Sequence, residues 1–213
     1  MEAGVAKALE QGADLIELRL DGLRDLSGWQ KLLRADIPII LTNRAEREGG
    51  HFKGDERSRV KPLLDGIAEG VACVDIEFST LKQHLDEVSK AAKQKGTSVL
   101  VSYHDFSTTP PVDALIDIAR RMADTGCDLV KIITFAKEPR DALRVLDFLA
   151  EVQEVVAIPL VAFAMGDAGK LSRIAAPLLG SPIVYAAAAE VTAPGQFDVV
   201  TAKRLMRELG LKA

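Results

Sequence analysis

Seven short apolar runs rich in β-branched residues punctuate the chain, at positions 15–21, 38–44, 71–78, 98–105, 129–135, 159–165 and 182–188. Their starts fall 23 to 33 residues apart, the length of one strand plus one helix. Near-continuous apolar character is what a parallel strand covered on both faces requires. Three runs open on a proline (Pro38, Pro159 and Pro182), where a missing N–H does least harm to a ladder. Between the runs the pattern takes a helical period. Leu81, Leu85, Val88 and Ala92 form one apolar stripe that Gly96 can end, and Leu115, Ile118, Ala119 and Met122 form another that stops near Gly126. Thr109 is placed to cap this second helix, with Pro110 at its first position. A last helix from about Asp198 buries Val199, Ala202, Met206 and Leu209.

Alternating strands and helices of this kind mean an α/β fold with a parallel sheet. Both an open doubly wound sheet and a (β/α)8 TIM-type barrel satisfy the pattern. The barrel is favoured because Glu17, Arg19, Arg44, Asp75, Glu77, His104 and Lys131 sit inside or at the ends of the apolar runs. In a barrel such positions converge on one mouth, where active sites are built. The count of runs is one short of eight, and the chain opens on a helix-like stretch, 5–11. No Pro/Gly/Ser-rich linker divides the sequence, so residues 1–213 read as one barrel domain.

With 48% apolar and 27% charged residues, the composition is that of a globular protein rather than a disordered one. A net charge of −4 without a long basic cluster argues against nucleic acid or an anionic membrane as the main partner. No apolar stretch is long enough to span a bilayer, and the first residues lack the pattern of a signal peptide. Cys73 lies in one apolar run and Cys127 just before another, which suits reduced, buried thiols in a cytoplasmic protein. Three scattered histidines at no ligand-like spacing make a metal site unexpected.

The residue that stands out is Lys131, in Asp128-Leu129-Val130-Lys131-Ile132-Ile133-Thr134-Phe135. A buried ammonium must be paired or lose its proton. Strand lysines are commonly salt-bridged or snorkel to solvent. One whose pKa is pushed down by burial is instead a nucleophilic amine, able to condense with a ketone. His104 closes its run, where a barrel strand points at the mouth, and an imidazole there suits proton transfer near neutrality. A hydrogen-bonded structural histidine fits equally well. His84 falls on the polar face of its helix and His51 in a loop, so neither is a candidate.

The segment 42–52 crowds charges around Gly49-Gly50, either as a solvated loop or as a cover placing Arg44 and Glu48 over the mouth. In Glu17-Leu18-Arg19 the alternation of a strand sends both charges to one side, as a structural pair or as a holder of substrate hydroxyls. Asp75 and Glu77 repeat the pattern, and a structural layer of paired charges is the expected reading there. Arg173 can clamp a carboxylate with its planar fork. The stretch Thr192-Ala193-Pro194-Gly195-Gln196 reads as a loop with a defined turn and possible lid motion. A glycine-rich phosphate cradle is absent.

Taken in order, these segments resemble the type I 3-dehydroquinate dehydratase family, the Schiff-base enzymes of the shikimate pathway. The resemblance rests on Glu17-Leu18-Arg19-Leu20-Asp21, Thr42-Asn43-Arg44 with Glu48-Gly49-Gly50, Ser102-Tyr103-His104-Asp105-Phe106, Leu129-Val130-Lys131-Ile132, the stretch 165–173 and Ala193-Pro194-Gly195-Gln196. Each is weak alone, but their order and spacing are specific. The resemblance implies that Lys131 forms an imine with the substrate ketone, that His104 is the general base and acid, and that Glu48 supports it. It further implies that Glu17, Arg19, Arg44, Arg173, Thr192 and Gln196 hold the hydroxyls and carboxylate of 3-dehydroquinate. No metal or organic cofactor is implied, since the imine is itself the electron sink.

Two positions depart from the family pattern. Thr192 stands where serine is expected, and the strand that precedes the family's first helix is missing or truncated. A cytoplasmic homodimer is expected by frequency. Two other readings remain open from sequence: another Schiff-base barrel lyase of the class I aldolase kind, and a non-catalytic barrel that binds ligand without turnover.

Overall fold

A computed structural model of the chain describes residues 2–188 and 194–211. Helix α1 (Glu2–Glu10) leads into a six-stranded sheet, β1 (Ile16–Arg19), β2 (Ile39–Thr42), β3 (Cys73–Glu77), β4 (Ser98–His104), β5 (Leu129–Phe135) and β6 (Leu160–Met165). The strands are ordered as in the sequence and all neighbours are parallel. Helices α2 (Glu56–Ala68), α3 (Lys82–Lys95), α4 (Val112–Ala123) and α5 (Pro139–Val152) connect successive strands from β2 onward, and α6 (Lys170–Ala175) and α7 (Val199–Glu208) follow β6.

The sheet is curled rather than flat. Strands β1 and β5 are four places apart, so a flat sheet would separate them by about 19 Å. Yet the Lys131 ammonium on β5 lies 3.5 Å from the Glu17 carboxylate on β1. Curling gives the sheet two unlike faces. On the convex face Leu41, Val74, Ile76, Val101, Val130, Ile132 and Ala162 belong to one continuous apolar core with Leu63, Val88, Leu115, Phe148 and Leu149 of the helices. The concave face carries the alternate residues, among them the polar Glu17, Arg19, Thr42, Asp75, Glu77, Ser102, His104 and Lys131 of β1 to β5, and a small apolar cluster of Ile133, Val161, Phe163 and Met165 on β5 and β6.

This half-barrel matches the expected architecture for six of the seven runs. The seventh, 182–188, is not a strand; its only ladder contact among the described residues is a single bridge from Ala187 to Asp198. Its Ile183 and Tyr185 nonetheless pack on the concave cluster. An apolar pattern reports burial, and burial does not oblige a segment to pair. No strand precedes α1 among the described residues.

Helix boundaries show two further differences. Helix α4 begins at Val112, with Pro111 rather than Thr109 at its cap. Pro110 precedes a second proline, and a residue in that position is pushed to extended backbone. Thr109 instead bonds sideways to the Thr134 hydroxyl and the Phe135 carbonyl, both at 2.9 Å. Leu209 lies past the end of α7 and is exposed, whereas Val199, Ala202 and Met206 are buried as the pattern requires. The stripe on α3 also starts late. Leu81 caps the helix and is exposed, while Leu85, Val88 and Ala92 are buried up to the left-handed Gly96. No helix among the described residues is long and apolar enough to cross a membrane.

One buried ion cluster ties the helices to the mouth of the sheet. Arg59 of α2 is 1% exposed. Its guanidinium donates to Glu77, to the Glu56 carboxylate at 2.6 Å, to the Thr80 hydroxyl at 2.8 Å and to the Asn43 carbonyl at 3.2 Å. Glu77 also accepts from the Ala45 amide at 2.8 Å, anchoring the loop that carries Arg44 and Glu48. Removing one partner of such a cluster leaves a buried charge uncompensated. Arg59→Met is therefore expected to lower stability by about 3–5 kcal/mol, measured by urea unfolding.

Candidate active site

The period of a strand places Glu17 and Arg19 of β1, Thr42 of β2, Asp75 and Glu77 of β3, Ser102 and His104 of β4, and Lys131 of β5 on the concave face. Register then aligns them: Thr42 is opposite Asp75, Glu77 opposite Ser102, and Ser102 opposite Lys131. Asp75 is the hub. It accepts hydrogen bonds from Arg44 at 2.7 Å, from the Ser102 hydroxyl at 2.6 Å and from the Lys131 ammonium at 2.9 Å. Burial opposes its charge, but Arg44 and Lys131 outweigh it and hold the carboxyl well below the usual carboxylate range.

Lys131 is buried, with its Nζ also 4.5 Å from the centre of the Tyr185 ring. Burial alone would lower its pKa, as the sequence suggested. The carboxylates of Asp75 and Glu17 more than reverse this, and the pKa is raised. The resting group is therefore an ion-paired ammonium, which corrects the expectation of an amine neutralised by burial. Of the two readings of this strand lysine, the salt-bridged one describes its resting state. Likewise Asp75, expected to belong to a structural layer, contacts the lysine directly.

His104 and Glu48 form a second unit. The imidazole Nδ1 lies 3.1 Å from Glu48 Oε2, and the Ser79 hydroxyl donates to the other Glu48 oxygen at 2.5 Å. Glu48 ends a 3₁₀ turn closed by Gly49 at φ +72°. A Cβ on Gly49 would meet Phe106 Cζ at 2.0 Å, so the glycine lets the Phe106 ring close over the turn and stack on His104. Burial, joined by the positive charges of Arg44 and Lys131, pushes the imidazole pKa well down, so His104 is neutral. Burial pushes Glu48 up to about 7 against the opposing hydrogen bond from Ser79.

These shifts predict a pH dependence. Above pH 7 an ionised Glu48 accepts the Nδ1 proton and leaves Nε2 as a base; below it, a protonated Glu48 donates to Nδ1 and selects the wrong tautomer. Activity expressed as kcat/KM is thus expected to rise with pH through about 7, and Glu48→Gln to lose that limb. Rate profiles between acid and alkaline pH for the two proteins check this.

Arg44 donates to Asp75 and Ser102 and is held as a cation by Asp75 and Glu77. Arg19 forms a two-pronged pair with Asp21 at 2.9 and 2.7 Å. Arg173 differs from both. Its guanidinium lies 4.1 Å over the Phe163 ring and donates to the Pro194 carbonyl at 3.2 Å, while its buried Nε has no partner among the described residues. Burial lowers its pKa to about 10, which leaves it charged near neutrality. It has no ion pair among the described residues, which suits an anionic group of a ligand.

A cleft of about 100 Å³ joins these groups. Lys131, His104, Glu48, Glu17, Arg19, Arg44, Arg173 and Gln196 all line it, so every candidate named from sequence that lies among the described residues is brought together. Thr192 lies outside the described residues. His51 is exposed and His84 sits beside Glu87 on α3, away from the cleft. Sequence reasoning did not single out Tyr185, Phe163, Met165 or Phe106, which form the apolar wall. Nothing in their local pattern separates them from ordinary core residues.

A curled parallel sheet with a lysine and a histidine on its concave face, Glu48 of the loop after β2 against that histidine, and Arg173 of α6 facing the same cleft without an ion pair among the described residues defines an enzyme of the α/β-barrel class. The chain belongs to the type I 3-dehydroquinase family, whose model matches residues 1–213. It is 38% identical over 206 residues to the 3-dehydroquinate dehydratase of Methanothermobacter thermautotrophicus, covering 95% of this chain and 88% of that one. It is 40% identical to that of Pyrobaculum aerophilum over 97% of this chain and 67% of the relative. Among solved structures, the type I 3-dehydroquinate dehydratase of Clostridium difficile superposes with a TM-score of 0.88 at 28% identity, covering 96% of this chain and 85% of that chain. The enzyme of Geobacillus kaustophilus superposes with a TM-score of 0.89 at 27% identity, covering 96% and 83%.

Proposed function

We propose that this protein dehydrates 3-dehydroquinate to 3-dehydroshikimate, the third step of the shikimate pathway to aromatic amino acids, through an imine on Lys131. The observation that carries this reading is the register of β4 and β5. Ser102 pairs with Lys131 and His104 with Ile133, so the amine and the imidazole stand two residues out of step on one face of neighbouring strands. Family membership supplies the substrate class.

The ammonium gives up protons to the substrate oxygen as the amine adds, because Asp75 at 2.9 Å is held well below the usual carboxylate range and stays an anionic partner rather than a base. The amine adds to the substrate ketone and the resulting hydroxyl leaves as water. Of the three protons the ammonium brings, two depart with that water and one stays on the iminium nitrogen, so charge is conserved. The iminium acidifies the neighbouring C–H, and neutral His104 removes that proton. The enamine then expels the β-hydroxyl, which takes the proton from His104. Hydrolysis of the product imine regenerates Lys131. Arg173 binds the substrate carboxylate, and Glu17, Arg19, Arg44, Thr192 and Gln196 hold its remaining polar groups. The protein acts without metal or organic cofactor, as a cytoplasmic homodimer.

The test is to mix the protein with 3-dehydroquinate and follow ultraviolet absorbance. The conjugated enone of the product is expected to appear. An aldehyde product in its place would indicate C–C cleavage, and binding without any product would indicate a barrel that does not turn over; either result overturns the proposal.

A further inference from the structure

We infer that the Tyr185 hydroxyl is a catalytic hydrogen-bond donor to the oxygen on the carbon that Lys131 attacks; this rests on the imine reading of the site. Tyr185 belongs to the run 182–188, which pairs with no strand among the described residues. Its ring is pinned between the Lys131 ammonium, 4.5 Å from the ring centre, and the Phe163 ring, 5.9 Å away and tilted by 47°. Its hydroxyl is buried, makes no geometrically complete hydrogen bond among the described residues although the Lys131 ammonium stands close enough to polarise it, and belongs to a residue that lines the cleft. A buried hydroxyl without a good partner is costly, and its place beside the reacting nitrogen points to an oxygen of the ligand.

The reaction needs such a donor. When the amine adds, the N–C bond forms as the C=O π bond breaks, and the electron pair moves onto oxygen. That oxygen then takes up protons brought by the ammonium and leaves as water while the C=N bond forms. Charge builds on it beside Asp75 and Glu17, the two groups nearest Lys131, whose carboxylates accept hydrogen bonds and repel an oxyanion. Arg44 is engaged with Asp75 and Ser102, and His104 is held through Nδ1 by Glu48. Arg173 has an unused Nε, but its guanidinium is stacked on Phe163 and makes no contact with the lysine among the described residues. Tyr185 is a neutral donor in contact with the amine. Burial, with the carboxylates of Glu17 and Asp75, raises its pKa, so the phenol keeps its proton throughout and contributes a hydrogen bond only.

Tyr185→Phe retains the ring against Lys131 and deletes the donor. Two rates isolate the addition step: exchange of ¹⁸O from labelled water into the ketone of 3-dehydroquinate, and the appearance of an adduct trapped by borohydride. Both are expected to fall on the order of 10²-fold, the usual effect of removing one oxyanion donor, with KM unchanged. A purely structural role would leave both rates intact once the variant's thermal midpoint is matched to wild type. Wild-type rates in Tyr185→Phe, or a change confined to KM, overturn the assignment to Tyr185 alone. A wild-type protein that gives no adduct overturns the imine reading, and the role of Tyr185 with it.

Discussion

Lys131→Arg is expected to gain no mass at position 131 when mixed with 3-dehydroquinate and borohydride, while the wild-type chain gains the mass of the reduced ligand there. Among the residues lining the cleft, Lys131 is the one primary amine, so no other side chain can take its place. Arginine is the informative replacement. Its guanidinium keeps a positive charge against Asp75 and Glu17, whereas alanine would leave both carboxylates facing a hole and could lose activity through unfolding. A guanidinium remains protonated and does not condense with ketones under these conditions. Turnover in Lys131→Arg is therefore expected to disappear with the fold intact, and Lys131→Ala to give the same chemical result with reduced stability. Intact-protein and peptide mass spectrometry read the adduct, and thermal unfolding reads the fold. An active wild-type sample that shows no adduct ends the imine mechanism.

His104→Ala is expected to separate binding of the ketone from removal of the proton. The imidazole makes no hydrogen bond to Lys131 or to Asp75, since its Nδ1 is committed to Glu48. The amine, its counter-ions and the arginines therefore survive the substitution. The variant should still yield the borohydride adduct at Lys131 but turn over about 10²–10⁴-fold more slowly, the range for a lost general acid–base. The depressed pKa of His104 explains why the defect should be fullest above about pH 7, where ionised Glu48 also sets the productive tautomer. The wild-type group is already in its basic form there, held so by burial and by the cations of Arg44 and Lys131. Wild-type turnover in His104→Ala would assign the base elsewhere, and loss of the adduct would mean that the imidazole also acts in imine formation.

The two units differ in how far they could be read before the structure. Glu17 with Arg19 and Asp75 with Glu77 were legible as one-faced pairs because a strand alternates regardless of what it packs against. Which of these acids would touch Lys131 was not legible. The lysine meets Glu17 across 114 residues of sequence and Asp75 across 56. The partner of Glu77 was hidden at a separation of only 18 residues, since Arg59 looks like any charged position on a helix until α2 is laid against β3. Residues 182–188 misled in the opposite direction. Their apolar pattern was correct about burial and wrong about pairing, because a side-chain pattern carries no record of where backbone groups find partners. Tyr185 was overlooked for that reason: it was read as one more position in a strand.

The amino-acid sequence by itself determined the repeating strand–helix unit, the convex face that meets the helices, and the set of polar side chains sent to the opposite face. Those properties follow from local period and from the exclusion of apolar groups from water, and they need no knowledge of distant contacts. Only the tertiary structure decided the electrostatic state of the site. Curling brings β1 and β3 up to Lys131, and their carboxylates reverse the effect of burial on its charge. The loop after β2 delivers Glu48 to His104, and burial then raises the acid toward neutrality while it keeps the imidazole uncharged. Charge in a low-dielectric cleft depends on which groups are neighbours in space, and a linear pattern does not specify those neighbours.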